Sequence, residues 1–395
     1  MDALGEVPSL RRLLLCGSPQ TSLQQSMLGR RVRARPGRRL SATPWLRASR
    51  EGARFCAQAW RPPEDAIQAA TWALWIEGLD GDSPARQLRL GFDAQVRLLC
   101  EEELEKRLFS CAVYRRVMPS YEGSDGSPLH YDDTGGDKEP IVLLAGGAAR
   151  HPSYLGDLAG LSERHRLIVS HLRGVGRTAL PVVEERGAFW TQADDIERLR
   201  IHLGLERLVL VAHSAGTRLA IAYAAQFTQT VGRMVLITPP ATYLVDEASD
   251  AGALSERRYG DSDFVAAFAA LVAGPQVNDD DGFNAWQQES APAGYARWSA
   301  KERAHAQVGR WSLAATKAYF SVAPPSDLAP RLKQIAAPVL VIAGAEDCLT
   351  GLGPVIALAR IFPSGIATVI ENSGHYPWIE QPAAFREAID AFLDM

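Results

Sequence analysis

Beyond position 118 the chain alternates short, almost uncharged β-branched runs with amphipathic stretches. Ile141–Leu144, Leu167–Ser170, Leu208–Val211, Met234–Ile237, Val339–Ile342 and Ala367–Ile370 are the runs. Strands covered on both faces read as continuous apolar segments, which is the pattern of a mainly parallel sheet. Between them Asp194–Leu203 and Gly216–Gln226 place apolar residues at helical spacing, as crossovers between parallel strands require. The pattern predicts an α/β fold over 118–242 and 331–395, a mainly parallel sheet with helices on both faces. Residues 243–330 interrupt the alternation: they hold no convincing strand, but Phe264, Phe268, Phe283, Trp286, Tyr295, Trp298 and Trp311 beside the acidic run Asp279, Asp280, Asp281. So long an insertion between two strands exceeds an ordinary connection and is expected to form a helical lid.

The first part of the chain reads differently. Residues 1–62 hold twelve arginines, no lysine and three acids, with no helical or strand period, so a flexible Arg-rich segment is expected. Such runs are usually solvated faces. Nucleic-acid binding is therefore the alternative reading rather than the expectation, and an upstream or targeting extension is a further one. From 63 to 117 a helical extension is expected: Ile67, Ala70, Leu74 and Trp75 recur at helical spacing after Pro62 and Pro63, and a second helix is expected over Ala94–Val113. Charge divides at the same place. Residues 1–117 carry 19 basic and 13 acidic residues, leaving 23 basic and 33 acidic for 118–395.

At 395 residues the chain has room for two or three compact units, and its 47% apolar and 22% charged residues exclude wholesale disorder. The five cysteines (Cys16, Cys56, Cys100, Cys111, Cys348) are widely spaced and form no CxxC pair, so reduced thiols in a cytoplasmic protein are expected. No uncharged apolar run approaches the roughly 18 residues of a membrane span.

Chemistry enters at 212–216. Ala212-His213-Ser214-Ala215-Gly216 joins the run Leu208–Val211 to a helical stretch. A serine on such a strand-to-helix turn, flanked by small residues, is presented above the sheet; the usual G-x-S-x-G has alanine here at its first position. Its hydroxyl needs a base, and the base needs an acid to fix its tautomer. His375 follows the last strand and is the candidate base. Asp347, just beyond Val339–Ile342, is the candidate acid, with Glu346 as the alternative. His213 adjoins Ser214, and neighbouring residues cannot present their side chains to each other productively. The order Ser214, Asp347, His375 is that of one triad-bearing fold. Ala215 and Gly147 are the candidate backbone donors for an oxyanion. Neither GxxxxGK[ST] nor GxGxxG occurs, and the remaining histidines lack metal-ligand spacing, so no nucleotide, metal or other cofactor is expected. Arg173-Gly174-Val175-Gly176-Arg177 reads as a tight turn beside the nucleophile helix.

Taken together, residues 118–395 resemble the α/β-hydrolase family: the glycine pair Gly146-Gly147 after an early strand, the Arg-Gly-x-Gly-Arg turn, the nucleophile elbow, the lid insertion and the late Asp and His fall in family order. Gly146-Gly147, Asp195-Ile196-Glu197-Arg198-Leu199-Arg200 and His202-Leu203-Gly204 resemble the proline iminopeptidase-like subgroup. The chain departs from that pattern at Ala145, where His is usual, at His171, where Asp is usual, and at Ala212-His213, where two glycines are favoured. The resemblance implies a metal-free serine hydrolase acting on an ester or amide of a small or medium organic molecule, as a carboxylesterase or an iminopeptidase-like enzyme. Gly146, His213, Trp286, Trp298 and Trp311 are candidate pocket residues. Acidic lid residues facing the pocket would suit a substrate ammonium; facing water, they leave a carboxylesterase. A non-catalytic binding protein on the same fold, or a hydrolase with a separate N-terminal partner-binding segment, is the alternative.

Overall fold

The computed structural model describes residues 119–395 and two short strands, β1 (Arg54–Ala57) and β2 (Leu74–Glu77). These two pair antiparallel, Phe55 opposite Ile76 and Cys56 opposite Trp75, in a unit of their own. Leu74 and Trp75 are thus in a strand and not in the expected helix. Leu-Trp-Ile favours a pleated surface, and a cross-strand partner overrides a weak 3.6-residue period. The rest of the Arg-rich segment 1–62 and the helix expected over Ala94–Val113 lie outside the described residues.

Eight further strands form one sheet: β3 (Ser120–Glu122), β4 (Pro128–Asp133), β5 (Pro140–Leu144), β6 (Arg166–Ser170), β7 (Leu208–His213), β8 (Val231–Ile237), β9 (Val339–Gly344) and β10 (Gly365–Ile370). Their order is β10-β9-β8-β7-β5-β6-β4-β3, parallel from β10 to β6 and antiparallel at the β4 and β3 edge. The six expected strands are all present. The β3–β4 hairpin was not expected; it shows the half-covered alternation of an edge, with Tyr121, Leu129 and Tyr131 buried between exposed neighbours. Its turn is held by the buried Arg173, whose guanidinium bonds both carboxylate oxygens of Asp125 and of Asp195 at 2.6–2.9 Å. The Arg-Gly turn is therefore structural, and Gly174 packs on Ala315 of the insertion.

Alternate residues of each buried strand face opposite cores. Val142, Leu210, Leu236 and Val341 pack with α1 (Ala193–His202) and α2 (Gly216–Gln226), while Leu143, Val211, Val235 and Ile342 pack with Tyr154, Trp378 and Phe385 on the other face. Helices on both faces explain why these strands carry no polar side. Helix α2 comes very close to β5: a Cβ on Gly216 would lie 2.4 Å from the Ala145 carbonyl oxygen and 2.5 Å from that of Leu144.

The insertion between β8 and β9 is helical: α3 (Ala251–Glu256), α4 (Ser262–Ala273), α5 (Asp280–Ser290), α6 (Ala300–Ala306), α7 (Leu313–Tyr319) and α8 (Leu328–Leu332). Polar caps start these helices, Asp261 for α4, Asp279 for α5, a Ser299–Glu302 capping box for α6 and Ser312 for α7. The aromatic residues form small cores of its own, among them Phe264 with Leu254 and Phe283 with Trp311. Among the described residues Cys348 is a buried free thiol, and no helix is long and apolar enough to cross a membrane. α9 (Gly353–Ala359), α10 (Pro377–Glu380) and α11 (Pro382–Leu393) complete the chain.

Candidate active site

Strand β5 lies between β6 and β7, so successive connections leave it in opposite directions. At such a switch point the loops beyond the strands part and open a crevice, which is where open parallel sheets bind ligands. The pairings Leu144–Ala212, His213–Ile237 and Gly344–Ile370 bring the carboxyl ends of five strands to that edge. Ser214, the 145–150 loop, Asp347 and His375 follow these ends.

Ser214 has φ 50°. That left-handed conformation is strained for a residue with a Cβ, and it is held here by the Ser214 N–H bond to the Ile237 carbonyl (2.9 Å) and by the helix that begins at once after Ala215. Ala215 stands at the N-cap of α2, so its N–H belongs to the open end of the helix. Gly147 has φ 69°. A Cβ there would lie 2.6 Å from Trp311 Nε1, so both the backbone conformation and the space require glycine. The Trp311 indole N–H has no hydrogen-bond partner among the described residues.

His375 Nδ1 lies 2.8 Å from Asp347 Oδ2, both residues being buried. A carboxylate accepts, so Nδ1 carries the proton and Nε2 presents a lone pair. The Leu349 N–H (2.9 Å) and the Thr350 N–H (3.3 Å) donate to Asp347 Oδ1, and the Thr350 hydroxyl donates to Oδ2 (2.5 Å). Burial pushes the Asp347 carboxyl up, but the His375 ring and these donors outweigh it and hold the group below its ordinary value. Glu346, the alternative acid, is engaged through its backbone with Ser373. Among the described residues the Ser214 hydroxyl itself makes no hydrogen bond.

His213, a candidate pocket residue, is buried. Its Nε2–H donates to the His375 carbonyl (3.0 Å), its Nδ1 accepts from the Tyr154 hydroxyl (2.8 Å), and that hydroxyl in turn accepts the Gly146 N–H (2.6 Å). Both ring nitrogens are occupied, and burial pushes its pKa well below the ordinary histidine value, so the ring is neutral. It ties the 145–147 loop to the His375 backbone, and its ring centroid lies 4.8 Å from that of His375.

Of the three tryptophans, Trp311 packs on Gly147 and under the Arg150 guanidinium. Trp286 stacks on Phe283 and donates to the Ala270 carbonyl, and Trp298 packs on Tyr295 and Arg303, contacts internal to the insertion. Asp279, Asp280 and Asp281 are exposed; Asp279 caps α5, Asp280 accepts from the Leu313 N–H, and Asp281 pairs with Arg310. Tyr154, Arg150, Thr350 and Glu380 were not singled out in the sequence. The Arg150 guanidinium reaches carbonyls more than 150 residues away, the Glu380 carboxylate accepts from backbone N–H groups alone, the Tyr154 hydroxyl bonds His213, 59 residues on, and Thr350 lies three residues from Asp347. Among the described residues no group of three or more His, Cys, Asp or Glu could hold a metal ion.

Comparison with known proteins agrees with this architecture. A 2-(acetamidomethylene)succinate hydrolase of Mesorhizobium japonicum is 28% identical over 266 residues, 65% of this chain and 88% of that protein. A proline iminopeptidase of Xanthomonas citri is 30% identical over 129 residues, 31% of this chain and 41% of that protein. The solved structure of an esterase from Exiguobacterium antarcticum, 18% identical, has the same fold with a TM-score of 0.54, covering 71% of this chain and all of that one (100%). The family described as alpha/beta hydrolase fold matches residues 139–382. With that match over more than half its length, the chain belongs to the α/β-hydrolase family.

Proposed function

We propose that the chain is a metal-free serine hydrolase that cleaves an ester or amide of a small or medium organic molecule through an acyl-enzyme. The observation that carries this reading is the 2.8 Å contact of His375 Nδ1 with the buried Asp347 carboxylate, at the strand edge where Ser214 holds a left-handed φ of 50°. Ser214 Oγ would form a bond to the substrate carbonyl carbon while its proton passes to His375 Nε2. The carbonyl oxygen gathers negative charge, which the Gly147 and Ala215 N–H groups would receive; a donor of this kind is worth roughly 10²–10³ in turnover. The ester or amide bond then breaks, and the alcohol or amine leaves with the proton from Nε2. Water attacks the acyl-enzyme, passing one proton to Nε2, and Oγ takes that proton as the acid departs. Asp347 stays ionised and stabilises the imidazolium. The unbonded Ser214 hydroxyl is compatible with this route, since catalytic hydrogen bonds commonly tighten only with substrate bound.

The acidic run of the insertion favours an esterase over an aminopeptidase. Asp279, Asp280 and Asp281 are exposed and engaged in helix capping, a backbone contact and a surface ion pair. That leaves Asp279 and Asp281 out of substrate recognition; Asp280 lines a cavity with His151 and Trp311, but Arg310 lines it too and disfavours an ammonium there. The relatives include an iminopeptidase, an amide-named hydrolase and an esterase, so rates must decide. An alkyl fluorophosphonate should label Ser214, and Ser214→Ala should abolish both the label and the turnover of p-nitrophenyl esters, which should exceed that of aminoacyl p-nitroanilides. Unimpaired turnover by Ser214→Ala overturns the serine reading. Faster release from the anilides overturns the esterase preference alone.

A further inference from the structure

Glu380 closes the short helix α10 that follows His375, and it is 9% exposed. Its carboxylate accepts three backbone donors: the Gly374 N–H at Oε2 (2.7 Å), and the N–H groups of Ala296 (2.7 Å) and Arg297 (3.3 Å) at Oε1. The first donor adjoins His375. The other two belong to the helical insertion, between α5 and α6. The bridge is reciprocated, since the His375 N–H donates to the Gly294 carbonyl of the insertion (2.8 Å). Backbones touch here: a Cβ on Gly374 would lie 2.8 Å from the Gly294 oxygen and 2.9 Å from the Ala296 nitrogen. Next to this contact the rings of Tyr295 and Tyr376 stack at 4.7 Å, and Tyr295 is bonded to His305, whose Nε2–H donates to the Tyr154 carbonyl.

We infer that Glu380 is a positioning residue that couples the helical insertion to the base-bearing loop, so that the seating of the insertion sets where His375 stands. This rests on the serine-hydrolase reading for its effect on turnover, but the bridge itself does not. Both carboxylate oxygens face N–H donors only, so the site needs an acceptor at each end. An amide of the same shape would turn its own N–H₂ toward one of them. The groups facing the carboxylate are Glu302 and Lys301 of α6, and Tyr295 and Tyr376. Lys301 Nζ reaches the Glu380 backbone oxygen (3.4 Å) and the Glu302 carboxylate (3.7 Å), leaving the Glu380 carboxylate with peptide dipoles as its compensation. Burial, with Glu302 adding, pushes the carboxyl up to about 7, although the three donors pull the other way. As pH falls through that value, the proton occupies one oxygen and a bond to the insertion or to Gly374 is lost.

The test compares wild type and Glu380→Gln by steady-state hydrolysis of a p-nitrophenyl ester from pH 5.5 to 9, with near-ultraviolet circular dichroism to check the fold. Glu380→Gln should lose roughly 10- to 100-fold in kcat with little change in KM, the cost of a small misplacement of a reacting group. The acid limb of the wild type should be steeper than a single ionisation, and that of the variant a single one. A folded variant with wild-type kcat and an unaltered profile overturns the inference. A second measurement covers a variant that does not fold: hydrogen exchange of the wild-type protein, corrected for the intrinsic rate. Peptides covering 292–298 and 372–378 should gain protection together between pH 8 and 6, because uptake of a proton relieves the buried charge even as it rearranges one of the three bonds; independent opening of the two segments overturns the coupling. The exchange result does not involve Ser214, and fluorophosphonate labelling of wild type does not involve Glu380, so the two readings fail separately.

Discussion

At the scale of single residues, the site is defined by which atoms remain free. His213 has spent both nitrogens on Tyr154 and the His375 carbonyl, whereas His375 has spent one, on Asp347. The imidazole with an open lone pair is therefore the one farther along the chain from Ser214. Asp347 fixes that state because its Oδ2 can only accept, which obliges the proton onto Nδ1. Asp347→Asn keeps the size but offers an N–H₂ where Nδ1–H now points, and the ring would turn to the tautomer that puts its proton on Nε2. We expect kcat to fall roughly 10⁴-fold, with fold and fluorophosphonate site unchanged and labelling slowed in proportion. Steady-state kinetics and labelling rates measure this directly, and a loss of less than tenfold would return Glu346 to consideration as the acid.

At the scale of elements, the position of Ser214 depends on how closely α2 approaches β5. The carbonyls of Leu144 and Ala145 occupy the space of a Cβ at Gly216, and they belong to a central strand that cannot recede. Gly216→Ala should therefore cost about 1–3 kcal/mol, the usual penalty of overpacking, read as a lower urea midpoint with unchanged slope; a midpoint equal to wild type would mean the helix shifts freely. What was legible in the sequence follows the same logic. Strands β5 to β9 stood out because their faces are mostly buried, and β10 as a short uncharged run although Ile366 and Ala367 are exposed; the candidate elbow, acid and base stood out because each follows the end of one of those runs. The β3–β4 hairpin was not legible as a continuous apolar run because only one face is covered; its Tyr121, Leu129 and Tyr131 alternate with polar residues. Leu74 and Trp75 misled because four residues fit either period until a partner strand decides. Arg150 and Glu380 act through carbonyls and N–H groups, and Tyr154 through the His213 ring and the Gly146 N–H, all set by tertiary structure and leaving no local pattern.

At the scale of the whole molecule, burial of titratable groups sets the pH range in which the fold is most stable. His130, His151, His165, His213 and His305 are all held below the ordinary value of 6.5, in each case first by burial, and His305 lies at about 4. For these the unfolded chain binds protons that the folded one refuses, so the stability they contribute is present above pH 6.5 and is lost as pH falls. Asp125, held well below its ordinary value by its hydrogen bond from Arg173, acts in the same sense at lower pH: its contribution is present above about 3.8 and is lost in strong acid. Glu380 acts in the opposite sense. Its folded carboxyl keeps its proton up to about 7 while the unfolded one releases it near 4.5, so stability declines through that window as pH rises. Glu380→Gln removes the opposing contribution and leaves the histidines. Between about pH 4.5 and 6.5 the stability of the variant should climb more steeply with pH than that of wild type, by about 1.4 kcal/mol per unit, the value of one proton. Urea midpoints at pH 5, 5.5, 6 and 6.5 measure the two slopes. Parallel curves would mean that Glu380 ionises alike in the folded and unfolded chain, and that the N–H donors of Gly374, Ala296 and Arg297 fully offset its burial.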